Sequence, residues 1–309
     1  MERINLSLLN RLWFTEPDSS TLEEAGSLPE LAGKAGSIEE MAAAYSNLFL
    51  LNVYPYASVF LDPNGEMNGE RAMELLKLYR RYDYSPEQLT QAGAPDHAGL
   101  VLGFLARLPD EELAPIAFRY TLDWLPALCL SVEREPGAHP FYRSLASTTR
   151  LELFHLINRS DFVVPQQKEI YGHDSEPDLD VPLLNENEEI SLNHLIHHLL
   201  SPALSGIFIS RNRLGLWSRQ LGVPLAFGER FHLGQSLFEA AGMVDRVTDL
   251  QGWILAELDV WEAAYTAWAN DCPFFRRITT NWLDRITETR RLVGMKYPEP
   301  ILIDQEEKG

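Results

Sequence analysis

Ala94-Pro95-Asp96-His97-Ala98-Gly99-Leu100-Val101-Leu102-Gly103-Phe104-Leu105 sets an aspartate and a histidine side by side after a proline, where a polar loop gives way to an apolar run. Asp96 stands where it can cap the helix that follows, because its side-chain oxygens can accept from the open N–H groups of a first turn. Leu100, Val101, Phe104, Leu105 and Leu108 then recur at helical spacing. On spacing alone this is a capped core helix with a histidine beside it.

Upstream, Ser37-Ile38-Glu39-Glu40 is a capping box, and the helix it opens carries Met41, Tyr45, Leu48, Phe49 and Asn52 on one side. From Ala42 to Leu61 no residue is charged, which is about the length a bilayer crossing needs. Ser46, Asn47, Asn52, Pro55 and Ser58 interrupt that run, so a core helix ending at Pro55 is expected instead. Leu48, Phe104 and Leu105 are the strongest core candidates.

These stretches carry a resemblance. Glu40 followed by Tyr45-Ser46-Asn47-Leu48-Phe49, then Pro95-Asp96-His97 with Leu102-x-Phe104-Leu105, then Asp123-Trp124-Leu125-Pro126, then Pro140-Phe141-Tyr142-Arg143-Ser144-Leu145, stand in the order of four motifs. In that order they resemble the TorD/DmsD/NarJ family, the dedicated chaperones of molybdenum-cofactor oxidoreductases. The tight Pro-Asp-His form is similar to the nitrate-reductase branch. The resemblance covers about residues 38 to 158. It implies a TorD-like helical bundle with no cofactor of its own, which holds an apo-molybdoenzyme catalytic subunit or its twin-arginine signal peptide while the molybdopterin cofactor is inserted. Family members that exchange helices make either a monomer or a helix-exchanged dimer compatible with it. The client-binding residues it implies here are Glu40, Tyr45, Phe49, Pro95, Asp96, His97, Phe104 and Trp124. Asp96 and Glu40 would supply charge, Tyr45, Phe49, Phe104 and Trp124 groove walls, and His97 a donor with a pH-sensitive charge.

Elsewhere in the first half, residues 1 to 36 read as a short helix and a loop, and 69 to 82 as an amphipathic helix with Ala72, Leu75, Leu76 and Tyr79 inward. A short helix with Pro86 at its first position closes at Gly93. One long helix is expected from Pro109 through Val132, kinked at Pro126, and a last one from Phe141 to Asn158. Residues 160 to 189 break the pattern: Asp174 to Glu189 is acidic without a Lys or Arg, and Pro165, Pro177 and Pro182 oppose a helix. This reads as an acidic linker. Amphipathic segments resume at Leu192–Leu200, Ala203–Gly222, Glu229–Met243, Val244–Ala269 and Phe274–Val293, with Trp253, Leu258, Trp261, Tyr265 and Trp268 as core anchors. No segment alternates with period two, so the class is all-α. The expected organisation is a chaperone domain over 1–159, a linker over 160–189 and a C-terminal helical domain over 190–309.

Charge narrows the partners. The 309 residues hold 26 Lys and Arg against 45 Asp and Glu, a net charge of -19. Nucleic acid and anionic membrane are polyanions and would be repelled; a cationic partner is favoured. Cys129 and Cys272 share no Cys-x-x-Cys, and Cys129 in Leu128-Cys129-Leu130 reads as core. The residues from Met1 to Leu6 lack a basic n-region and a clean apolar h-region, so no secretory or twin-arginine signal and a cytoplasmic protein without stable membrane insertion are expected.

Catalytic readings are weaker. Glu152-x-x-His155 and Glu229-x-x-His232 have the spacing of a di-iron bundle but are near what chance supplies in this composition. His194, His197 and His198 could share a helix face as metal ligands do, with no carboxylate in a defined role beside them. Gly33-Lys34-Ala35 lacks the hydroxyl residue and spacing of a P-loop. A helical metalloenzyme and an acidic interaction scaffold are the alternatives to a chaperone without turnover.

Overall fold

A computed structural model describes residues 4–64, 69–158 and 191–294. Among these residues the chain forms sixteen α-helices and one π-helical turn, with no strand. The all-α class follows.

Helix α1 (Ile4–Phe14) buries Leu8, Leu9, Leu12 and Trp13. It crosses the helix that follows the aspartate-histidine pair, Ala98–Leu105, at two glycines. A Cβ on Gly99 would stand 2.7 Å from Phe14 Cβ and 3.0 Å from the Asn10 carbonyl oxygen, and one on Gly103 would stand 2.6 Å from Asn10 Nδ2. At Gly99, where the neighbours include backbone, a side chain would hold the helices apart.

The loop expected before residue 36 contains a second helix, α2 (Ser19–Ala25), started by the Asp18 side chain accepting from Thr21 N–H. Helix α3 (Ile38–Tyr45) is capped by Ser37, which accepts from Glu40 N–H at 3.2 Å. It does not run to Pro55. Ser46–Leu50 is a π-turn, closed where Asn52 Nδ2 donates to the Asn47 carbonyl at 2.8 Å and Val53 N–H to that of Leu48 at 2.7 Å. The inward stripe of Met41, Tyr45, Leu48, Phe49 and Asn52 is buried as its periodicity predicts. The uncharged run to Leu61 therefore breaks into short pieces, and among the described residues no helix is long and apolar enough to cross a membrane.

Then come α4 (Ala57–Leu61), α5 (Glu70–Arg81), α6 (Gln88–Ala92) and α7 (Ala98–Leu105). In α5 Leu78 is buried and Leu76 only partly so. Helix α6 begins at Gln88, after Pro86, and Gly93 ends it with φ of 73°, a left-handed conformation that suits glycine. The long helix expected from Pro109 to Val132 is two, α8 (Asp110–Thr121) and α9 (Leu125–Arg134). Pro126 sits in the first turn of α9, where its missing N–H costs nothing, so it starts a helix instead of kinking one. Helix α10 (Pro140–Asn158) completes this half.

In the second half, α11 (Leu192–Leu200) and α12 (Pro202–Ser205) lead to a left-handed Gly206, φ 78°, and a non-helical Ile207-Phe208-Ile209 that is buried. The single helix expected over 203–222 is thus split, because Ser210 caps a new one, α13 (Arg211–Leu221), by accepting from Arg213 N–H. Helices α14 (Arg230–Met243), α15 (Val247–Asp271) and α16 (Arg276–Val293) follow. Trp261, Tyr265 and Trp268 of α15 are core residues, as are Cys129 and Cys272.

The described residues of both halves share one hydrophobic core. Phe60 stacks on Phe208 at 5.6 Å and Phe154 lies 5.4 Å from Phe275. Polar contacts cross the same junction. Arg134 clasps Glu257 through Nε and Nη2 at 2.6 and 2.7 Å, Arg213 Nη2 donates to the Arg134 carbonyl at 2.8 Å, and Asn212 Nδ2 donates to buried Glu135 at 2.7 Å. The acidic stretch over 160–189 lies outside the described residues.

Candidate functional site

Pro95-Asp96-His97 ties two segments of chain together. Ala98 N–H donates to the Pro55 carbonyl at 2.7 Å and Ala57 N–H to the Asp96 carbonyl at 3.1 Å, so Tyr56 and His97 pair in antiparallel fashion. Tyr79 Oη donates to the Pro95 carbonyl at 2.9 Å and Tyr56 Oη to that of Ala92 at 2.8 Å. Asp96 is fully buried, and its Oδ2 accepts from Ser58 N–H at 2.7 Å. Ser58 lies in the first turn of α4. Asp96 therefore caps α4 across the fold, not α7 next to it in sequence. Its Oδ1 and the Ser58 Oγ are buried with no hydrogen-bond partner among the described residues.

The cap of α7 is His97, whose Nδ1 accepts from Gly99 N–H at 3.1 Å. With Nδ1 as acceptor, the neutral ring carries its proton on Nε2. The ring is wedged against Phe14 at 5.2 Å and Tyr56 at 4.9 Å. Burial pushes its pKa down to about 3, since a charged imidazole would lose its hydration there. Burial thus works against the pH-sensitive charge expected of this histidine near neutrality.

The other expected site residues fall into separate clusters. Tyr45 and Phe49 are buried with Trp13 and Tyr142: Phe49 lies 5.2 Å from Trp13 and 5.5 Å from Tyr142, and Tyr45 Oη donates to the Trp13 carbonyl. Desolvation raises the Tyr45 and Tyr142 hydroxyls far above the ordinary phenol range. Phe104, on α7, is ringed by Tyr79, Tyr82 and Tyr84 at 5.0 to 5.5 Å. Trp124, fully buried at the start of α9, donates from Nε1 to the Tyr120 carbonyl at 2.8 Å. Pro95 is buried as well, and Glu40 alone of the eight presents its side chain to water, with His139 Nε2 3.5 Å away. The sequence assigns Tyr56, Ser58 and Tyr79 no site role: Tyr79 shows only as an inward residue of its helix, and Tyr56 and Ser58 only as polar groups in an uncharged run.

Part of the sequence that builds this arrangement matches a known family. Residues 16–125 fit the family model described as the nitrate reductase delta subunit. The matched segment is thus similar to the NarJ/TorD-type chaperone family whose motifs the sequence carries. No curated protein matches the chain. The delta-subunit segment contains Glu40, the π-turn, the Asp96 junction and the start of α9. It supports a chaperone role in maturation of nitrate reductase-type enzymes, and the family implies binding of a molybdoenzyme catalytic subunit.

The metal readings separate from it. His198 is buried and its Nε2 lies 2.8 Å from Thr289 Oγ1, while His194 and His197 are exposed, His197 stacking on Phe231 at 5.6 Å. His155, Glu229 and His232 are exposed on α10 and around the start of α14. Among the described residues, no group of three or more His, Cys, Asp or Glu is placed to hold a metal ion.

Proposed function

We propose that this protein is a cytoplasmic chaperone without turnover of its own that holds an immature molybdenum-cofactor oxidoreductase, through its twin-arginine signal peptide, its apo-catalytic subunit or both, and assists cofactor insertion before assembly or export. The observation that carries this reading is the delta-subunit match over residues 16–125. Electrostatics support it. A twin-arginine leader joins a basic stretch to an apolar helix-forming one, and a protein of net charge -19 attracts the first while an apolar surface receives the second.

Of the eight site residues, Glu40 is the one we propose to meet the client directly. Tyr45, Phe49, Pro95, Asp96, His97, Phe104 and Trp124 act by positioning, since burial keeps them from a client in this conformation. The division into a chaperone domain over 1–159 and a helical domain over 190–309 remains part of the proposal, with the second unit bracing the first.

Affinity purification of the full chain from its native cell, followed by mass spectrometry and molybdopterin analysis of what comes with it, tests the function. A cofactor-free molybdoenzyme catalytic subunit is the expected companion. Recovery only of cofactor-loaded enzyme, or of none, overturns the reading.

A further inference from the structure

The inner and outer faces of the capping-box helix differ sharply. Met41, Tyr45, Leu48 and Phe49 point into the core, and Tyr142 Oη fastens the helix from below by donating to the Met41 carbonyl at 3.1 Å. Outward, Glu40, Ala43, Asn47 and Leu50 follow one another at about one-turn spacing with Glu39 next to Glu40, and all five are exposed. Leu50 and Leu51 are 59% and 50% exposed. They are two adjacent large apolar side chains in water, although Asn52 directly after them is buried and bonded to the Asn47 carbonyl and to Asn212 N–H. A backbone pinned on both sides therefore presents the leucines. The π-turn is what brings them out, and such turns often occur at functional sites.

Charge gives this face a direction. No Lys or Arg stands between Lys34 and Arg71. Glu39 and Glu40 occupy one end of the stripe, and Glu16 reaches its middle, where Ser46 Oγ donates to Glu16 Oε1 at 2.7 Å. At the acidic end His139 Nε2 lies 3.5 Å from Glu40 Oε1. The stripe is acidic at the start of α3, small at Ala43 and apolar at Leu50 and Leu51.

We propose that this outer face, from Glu39 and Glu40 to Leu50 and Leu51, is the docking surface for the leader segment of the client. Arginines of the leader lie at the glutamates, and its apolar stretch covers the two leucines. The inference rests on the chaperone reading above and adds where the client sits. The aspartate-histidine junction then serves as the frame behind the surface, fixing the chain that leaves the π-turn.

A photo-crosslinking residue placed at Leu51 in the full chain, with a second one at the 97% exposed Phe227 as a control, locates the contact in the native cell. The expected result is a crosslink from position 51 to the N-terminal leader of a molybdoenzyme catalytic subunit, and none from position 227. If the subunit co-purifies but crosslinks at 227 and not at 51, the surface is wrong and the chaperone reading stands. A crosslink from 51 to a second copy of this chain also overturns it, in favour of a dimer contact. If no molybdoenzyme co-purifies, the chaperone reading fails and this inference with it. In solution, a labelled synthetic peptide with an Arg-Arg pair ahead of about a dozen Leu and Ala residues is the probe. Leu50→Ser with Leu51→Ser, and separately Glu39→Gln with Glu40→Gln, should each weaken its binding about tenfold, with melting temperatures unmoved and Phe227→Ser binding like the parent. Unchanged affinity in both double variants overturns the proposal.

Discussion

Asp96 and Ser58 are 38 positions apart, yet a carboxyl oxygen of one holds the backbone N–H of the other at 2.7 Å inside the core. That bond starts α4 and fixes the Pro55–Ser58 segment against the head of α7.

Asp96→Asn and Asp96→Ala should consequently differ. Asn keeps an oxygen for Ser58 N–H and should melt within about 1 kcal/mol of the parent, as Asn and Asp are comparable caps. Ala leaves a buried donor unmatched and should cost about 1–3 kcal/mol. Denaturant melts of both variants decide it; equal losses would mean that the bond to Ser58 contributes nothing.

Stability should fall as the solution is acidified from neutrality. Burial lowers His97 to about 3 and His198 to about 4, against 6.5 in the unfolded chain. A depressed folded pKa means that the unfolded state takes up more protons, so the contribution is complete above pH 6.5 and lost as pH falls toward 4 and then 3. At pH 5 each histidine accounts for up to about 2 kcal/mol. His97→Asn keeps an acceptor for Gly99 N–H, and His198→Gln keeps a partner for Thr289. The double variant should show a flatter dependence of unfolding free energy between pH 7 and 5, and a slope equal to the parent's would refute the assignment.

Gly99→Ala should be worse than Gly103→Ala. The new methyl at Gly99 meets the Phe14 Cβ at 2.7 Å and backbone at 3.0 Å, whereas at Gly103 it meets the ends of the Asn10 and Tyr84 side chains. Side-chain ends can turn aside and backbone cannot. Losses of about 1–3 kcal/mol are expected at Gly99 and smaller ones at Gly103, read from thermal melts.

A protease site inserted between residues 159 and 190 should yield two fragments that elute together in gel filtration, because the shared core and the Arg134–Glu257 pair outlast the cut. Glu257→Ala in the cleaved protein should loosen them, since it leaves Arg134 and Arg213 without their carboxylate at a largely buried position. Fragments that separate without any mutation would show that the halves are independent units.

Local periodicity made much of this architecture legible. The stripe from Met41 to Asn52, the leucines of α7 and the aromatic anchors of α15 repeat at helical spacing, and burial follows that spacing whatever the neighbours are. Choices made by distant partners were not legible. Asp96 faces two competing sets of open N–H groups, and the sequence next to it names only one of them. Asp18-Ser19-Ser20 looks like a loop because the composition that caps a helix also suits a turn. Pro126 is compatible with a kink or with a new helix, and the turn before Trp124 decides between them. The family resemblance implies groove walls at Tyr45 and Phe49; the helix face they share turns them inward, while Glu40 on its other side stays in water.

Helix α1 lies ahead of the segment that matches the delta-subunit family. Anyone trimming the chain to residues 16–125 would uncover the bare glycine faces of α7 and the Phe49 ring that Trp13 covers, and would remove the carbonyl that Tyr45 bonds. Such a fragment would be a sticky remnant whose promiscuous adhesion to peptides could pass for chaperone activity. Binding measured on it would report its own missing helix.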